Sequence, residues 1–212
     1  MRHILYIFIT GFIVFGLACT NGKNYNFEIN GTINGGASGK PIYLVQVVDN
    51  AQEVIDSAVV NKNGNYRLAG FSQHPDFFYV RFNDRRSLVQ LIVSPGEKIT
   101  LNGNYKNLPL NYTVKGSKES ELIFEMNERI KTEVANLKAA QKSMLDHKGK
   151  EDYEKYKLAF DSVYTQTRSD LRDYVISLVE ENKNSLVSMV ALSLQLESRE
   201  TILDPFKNFE YF

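Results

Sequence analysis

The hydrophobic rhythm of this 212-residue chain changes once, at Gly116, and that change limits what the chain can fold into. From Phe27 to Gly116 apolar and polar residues alternate with period two between clusters of Gly, Asn and Pro, the signature of half-buried strands. Phe27, Ile29 and Ile33 mark the first strand. Pro41 to Val48, Glu53 to Val60, and Tyr66, Leu68 and Gly70 follow, with Asp49-Asn50 and Asn61 to Asn65 as turns. Phe77 to Phe82, Leu88 to Val93, Lys98 to Leu101 and Asn111 to Lys115 complete about eight short strands, with the charged turn Asn83 to Arg86 between the first two of these. No helical pattern intervenes, so the stretch 27–116 predicts an all-β domain, an antiparallel sandwich or open barrel.

Beyond Gly116 the period lengthens. Ile123, Met126, Ile130, Leu137, Ala140 and Met144 fall near heptad spacing, interrupted at Glu133. After the loop His147 to Lys150, Tyr156, Phe160, Val163, Thr167, Leu171, Tyr174 and Leu178 step by three or four. This predicts two helices of roughly thirty residues, about 45 Å each at 1.5 Å per residue, paired as an antiparallel hairpin. Asn184 is the expected N-cap of a third helix over Ser185 to Leu196, within a helical segment 117–199. Asp204-Pro205 then reads as a cap and first residue of a helix over Phe206 to Phe212, and the aromatic stretch 200–212 as the start of a linker truncated from a longer ancestor. The fold class expected is therefore α+β, a β domain followed by a long α-helical hairpin.

The N-terminus carries an address. Arg2 precedes Ile4 to Leu17, an uncharged run of fourteen residues. A spanning helix needs about twenty apolar residues, whereas an export signal needs about this many. Gly16-Leu17-Ala18-Cys19, which overlaps the end of that run, resembles a lipoprotein cleavage box, with Gly16 where such boxes usually place Leu. Residues 1–18 are thus read as a lipoprotein signal peptide, and 19–26 as a lipidated Cys19 with a flexible tether. Lipid attachment supplies two or more acyl chains, at about 0.8 kcal/mol per buried CH₂. Thr20 follows Cys19 with no acidic residue beside it; by resemblance to known sorting rules this implies the outer membrane of the bacterial envelope, and the lack of an acidic cluster in Asn21 to Asn26 implies the side facing the periplasm.

Cys19 is the only cysteine. Once acylated it leaves no thiol for a disulfide, a metal or redox exchange. His74 and His147 are expected as solvent-exposed loop residues without zinc-ligand spacing. No Gly-x-Ser-x-Gly elbow is present, and Gly35 to Lys40 has the wrong spacing for a phosphate loop and leads into a strand. With 25 basic and 25 acidic residues the net charge is zero, which disfavours nucleic acid. Neither an enzyme site nor a cofactor nor a metal is expected. Glycan recognition through Tyr43, Tyr66, Tyr79, Tyr105 and Tyr112 is a further alternative, although the chain has no Trp. Asp56-Ser57-Ala58 and Asp161-Ser162-Val163 resemble an O-glycosylation signal but read as ordinary segments. Tyr153, Tyr156, Phe160, Tyr164 and Tyr174 make the hairpin more aromatic than a spacer needs, so it is a candidate surface for a protein partner or self-association.

Three stretches in order, FEINGTINGGASGKPIYLVQ, DSAVVNKNGNYRLAG and LIVSPGEKITLNGN, resemble the domain of unknown function 4369, with the likeness running from Phe27 to about Phe212. That domain stands at the N-terminus of thioredoxin-like lipoproteins of Bacteroidetes, followed by a helical segment. The resemblance implies either a non-catalytic, lipid-anchored β and helical scaffold, or the N-terminal part of a thiol-disulfide oxidoreductase whose catalytic domain is missing from this chain. The family's Cys-x-x-Cys cannot be carried over, since there is no second cysteine.

Overall fold

In a computed structural model of the chain, residues 24–82, 88–196, 200–205 and 207–211 are described. The stretch 1–18 read as a signal peptide, Cys19 and most of the expected tether, the expected turn Asn83 to Arg86, and Phe206 and Phe212 lie outside the described residues.

Eight strands form two four-stranded sheets that face each other: β1 (Phe27–Asn34), β2 (Pro41–Val48), β3 (Ala51–Val59), β4 (Asn65–Gly70), β5 (Asp76–Arg81), β6 (Leu88–Val93), β7 (Lys98–Asn104) and β8 (Tyr112–Lys115). One sheet runs β4-β1-β7-β8, the other β3-β2-β5-β6. The period-two residues fill the space between them. Ile29, Leu44, Leu68, Phe78, Leu91, Ile99 and Leu101 are fully buried in one cluster, each contributing about 1.5–3 kcal/mol through lost water contact. The arrangement is a sandwich and not a closed barrel. One pairing departs from the expected antiparallel pattern: β1 and β7 run parallel, Ile29 opposite Ile99 and Ile33 opposite Gly103. Parallel neighbours need a long crossover, and here the chain passes through the other sheet between them.

Turn chemistry sets the hairpins. Asp49 and Asn50 both take positive φ (50° and 61°), the conformation a two-residue hairpin turn requires. In the next turn Asn61 Oδ1 accepts the backbone N–H groups of Asn63 and Asn65, while Gly64 supplies φ of 82°.

At Gly116 the chain leaves the sandwich and becomes helix α1 (Lys118–Asp146), returning as α2 (Tyr153–Glu181) and ending in α3 (Leu186–Leu192). Ser117 caps α1, its Oγ accepting from Ser120 N. α1 lies beside both β6 and β8, closing the side of the sandwich opposite the β3–β4 connection. Ile92, on the outward face of β6, joins Ile123, Met126, Leu137, Leu171, Val175 and Val187 in a second core.

Several local expectations are corrected. Ser185, not Asn184, caps the third helix, its Oγ accepting from Val187 N, and the helix stops at Leu192. Gln195–Leu196 instead pair with Glu200–Thr201 as a two-residue ladder. The Asp204-Pro205 signal opens only a single turn, with Asn208 N donating to Asp204 O, before a 3-10 turn over Phe209–Tyr211. Tyr211 packs against the second core and is not left without a neighbour. On α2, Val163 is exposed, and Tyr164 takes its place at the seam.

Candidate functional site

β1 starts at the end of the sandwich where residues 24–26 enter it. Asn26 N donates to Gly70 O and accepts, through its own carbonyl, from Gly96 N; its side chain bonds both the N–H and the C=O of Ser72. A shallow depression of about 230 Å³ opens there between Tyr25, Glu28, Arg67, Glu97 and Lys98. Arg67 sits 2.7 Å from Glu28 and holds its carboxyl below the usual range. Burial pushes the neighbouring Glu97 the other way, against the hydrogen bond it accepts from Ser94 N.

The helical hairpin starts at this same end, since Gly116 lies against Lys98. α1 climbs past Tyr112, whose ring meets Phe124 edge-on, to Lys131, whose Nζ donates to Leu110 O. Pro109, Leu110, Ile130, Val134 and Lys138 line a crevice of about 500 Å³ where the helix passes the far end of the β domain. From Lys138 to Asp146 eight residues remain, about 12 Å of helix projecting beyond that crevice. The hairpin is therefore an arm directed away from the end at which Asn26 enters the sandwich.

The arm's aromatic residues are half-buried and largely engaged with each other. His147 stacks on Tyr156 at 3.6 Å between centroids, Phe160 leans on Tyr164 at 6.2 Å, and Arg129 lies 4.4 Å over Tyr174. Leu145 and Leu158 remain exposed near the tip. His147 is not the solvent-exposed loop residue expected from sequence: it follows α1 as its C-cap, with Nδ1 2.8 Å from Ser143 O and Nε2 3.7 Å from Asp152. A Nδ1–H facing that carbonyl explains why the ring is turned inward. His74 is exposed, as expected.

The five tyrosines considered for glycan stacking do not share a face. Tyr66 and Tyr112 are buried, and Tyr66 OH donates to Leu101 O. Tyr43 carries Arg81 over its ring on the outer face of the other sheet. Asp56, first residue of one modification-like triplet, is occupied within the fold, accepting from Ala69 N. Among the described residues no three His, Cys, Asp or Glu side chains come together as a metal site would require, and no helix is long and apolar enough to cross a membrane.

Sequence reasoning missed two groups. Ser117 and Ser120 meet the edge of β6; both look like ordinary cap residues. Ending the seventh strand at Leu101 left out Asn102 and Asn104, whose i, i+2 spacing continues that strand's outward face.

Residues 27–123 match the family described as Domain of unknown function (DUF4369). No curated protein matches the chain.

Proposed function

We propose, from the premise that residues 27–123 are a DUF4369 domain, that this chain is a non-catalytic lipoprotein of the bacterial envelope, anchored through Cys19 to the outer membrane and facing the periplasm. Its β domain acts as the tethered base and its helical hairpin as the interacting arm. The carrying observation is the position of the sole cysteine, separated only by Ala18 from a fourteen-residue uncharged run that ends in Gly16-Leu17. The geometry supports the reading: the first described residues, 24–26, enter one end of the sandwich, and the arm leaves past the other. A surface-held protein with its contact element turned outward would be built this way.

Metabolic labelling of cells with a clickable fatty acid tests the anchor. The wild-type chain takes the label and fractionates with outer membranes, whereas Cys19→Ala carries no label and appears in the soluble periplasmic fraction. Label retained by Cys19→Ala would overturn the proposal.

A second reading follows from the order of the three resembling stretches and the helical segment after them: the N-terminal part of a thioredoxin-like lipoprotein. A Cys-x-x-Cys encoded within the next hundred or so codons after Phe212 would favour it, and an unrelated sequence there would dismiss it.

A further inference from the structure

The outer face of the β4-β1-β7-β8 sheet is open to solvent, and its far half is made of amides. Along β1, Asn30, Thr32 and Asn34 point outward; along β7, Thr100, Asn102 and Asn104 do so beside them, because Ile29, Ile33, Ile99 and Leu101 point into the core. Asparagine is depleted in strands, where β-branched and aromatic residues fit the pleated surface better. A solvated sheet face is ordinarily served by Thr, Lys and Glu, so a run of Asn on paired strands needs its own explanation.

The hydrogen bonds show what these amides offer. Asn102 Oδ1 accepts the backbone N–H of Thr32 at 2.8 Å, inserted where the β1–β7 pairing skips. Asn104 Oδ1 accepts from Lys106 N at 3.0 Å. Each side chain thus spends its oxygen inside the fold. That leaves the two Nδ2 groups as oriented donors, with no partner for either among the described residues. They border a depression of about 290 Å³ whose other walls are Asn34, Gly103, Asn111, Tyr112 and Thr113. No Asp, Glu, Lys, Arg or His lines it. A charged ligand would find no counter-charge there, and an apolar one would take the donors out of water and leave them unpaired. What remains is an uncharged molecule dense in hydroxyl and carbonyl acceptors.

We propose that this amide-lined depression, with Asn102 and Asn104 as donors and Asn34, Asn111 and Thr113 around them, binds a neutral glycan segment. It lies at the end of the sandwich away from the tether. The inference is independent of the lipid anchor, because it concerns another surface and is read by another measurement.

The full chain in detergent micelles, applied to immobilised neutral tetrasaccharides (gluco-, manno-, xylo- and chito-) and to carboxylated and sulfated counterparts, provides the test. Retention on at least one neutral member and not on the anionic ones is expected. Asn102→Asp combined with Asn104→Asp keeps both acceptors for Thr32 and Lys106 while deleting both donors, and should weaken binding at least tenfold with thermal stability unchanged. Asn63→Asp, on the β3–β4 turn, should bind as the wild type does. Should the double variant fold poorly, Asn111→Ala alone decides, since its side chain bonds nothing among the described residues, and a loss of threefold or more is expected. Binding to no neutral member, preference for the anionic ones, or unaltered binding by folded variants would overturn the assignment.

Discussion

Ser120 shows how a single hydroxyl can join two parts of a protein. Its Oγ donates to Ile92 O at 2.7 Å and accepts from Ile92 N at 3.1 Å, with Ser117 Oγ adding a second bond to the same carbonyl at 2.9 Å. Both serines are buried, so water cannot replace them. Ser120→Ala strands the Ile92 N–H and should destabilise the chain by about 1–3 kcal/mol in urea unfolding, whereas Ser162→Ala on the exposed face of α2 should change little. Glu121 is the other local clasp. Its carboxylate accepts from Gly116 N at 2.8 Å and lies 3.3 Å from Lys115, and the backbone bond first, then the lysine, lower its pKa. A folded-state value below the unfolded one means the contribution is full above the ordinary carboxylate range and is lost as pH falls through the lowered value. Glu121→Gln should therefore be less stable than wild type at pH 7, and the difference should shrink as pH falls through the lowered value, measured by thermal melts. Gly116 itself sits at φ of 92° with a Cβ position 2.3 Å from Lys98 O, so the corner between sandwich and helix admits no side chain.

Elements differ in how firmly they are held. The two ends of the β3-β2-β5-β6 sheet are protected differently: β6 is covered by α1, while β3 is the open edge. β3 is irregular and carries an inward charge, since the β2–β3 register shifts between Leu44 and Val45 and Asp56 turns in to accept from Ala69 N. Both devices discourage another strand from adding to an exposed edge. In the hairpin, burial is concentrated in one half. Ile123, Met126, Leu171, Val175 and Leu178 are buried, while from Lys138 to Phe160 no residue of either helix is. Local opening follows buried contact density. Amide exchange should accordingly be slow over 120–130 and 168–179 and faster by at least a hundredfold over 140–160, as read by mass spectrometry; uniform protection along both helices would contradict this. The heptad reading placed these helices correctly but not their unequal anchorage, because spacing records which side faces a neighbour and not how far that neighbour extends.

At the scale of the molecule, polarity is the main property. α1 begins beside Lys98, next to the point where Asn26 enters the sandwich, and continues for 29 residues, about 44 Å at 1.5 Å per residue. The entry of the chain at Asn26 and the arm tip are thus at opposite ends. Spin labels at Asn24→Cys and Lys150→Cys, in a Cys19→Ala background, should report a separation on the order of 45 Å by pulsed electron resonance; a distance below about 30 Å would mean the arm folds back along the sandwich. The amide-lined depression is at the arm's end of the β domain, so it and the arm tip both lie away from the end at which Asn26 enters the sandwich.

The amino-acid sequence by itself determined the class of each segment. Period two with Asn-Gly and Pro-Gly turns specifies strands with one face inward, and three-and-four spacing specifies paired helices, because both periods are properties of local backbone geometry. It also determined the place of the sole thiol, Cys19. Only the tertiary structure decided which strands are neighbours. The alternation in β1 shows that Asn30 and Asn34 face outward, but nothing local says that Asn102 and Asn104, some seventy residues later, stand beside them in a parallel pair. That pairing comes from burying Ile29 and Ile99 in one core, as does the seating of Ser120 on Ile92. Such choices depend on the summed burial of the whole sandwich, which no window of sequence contains.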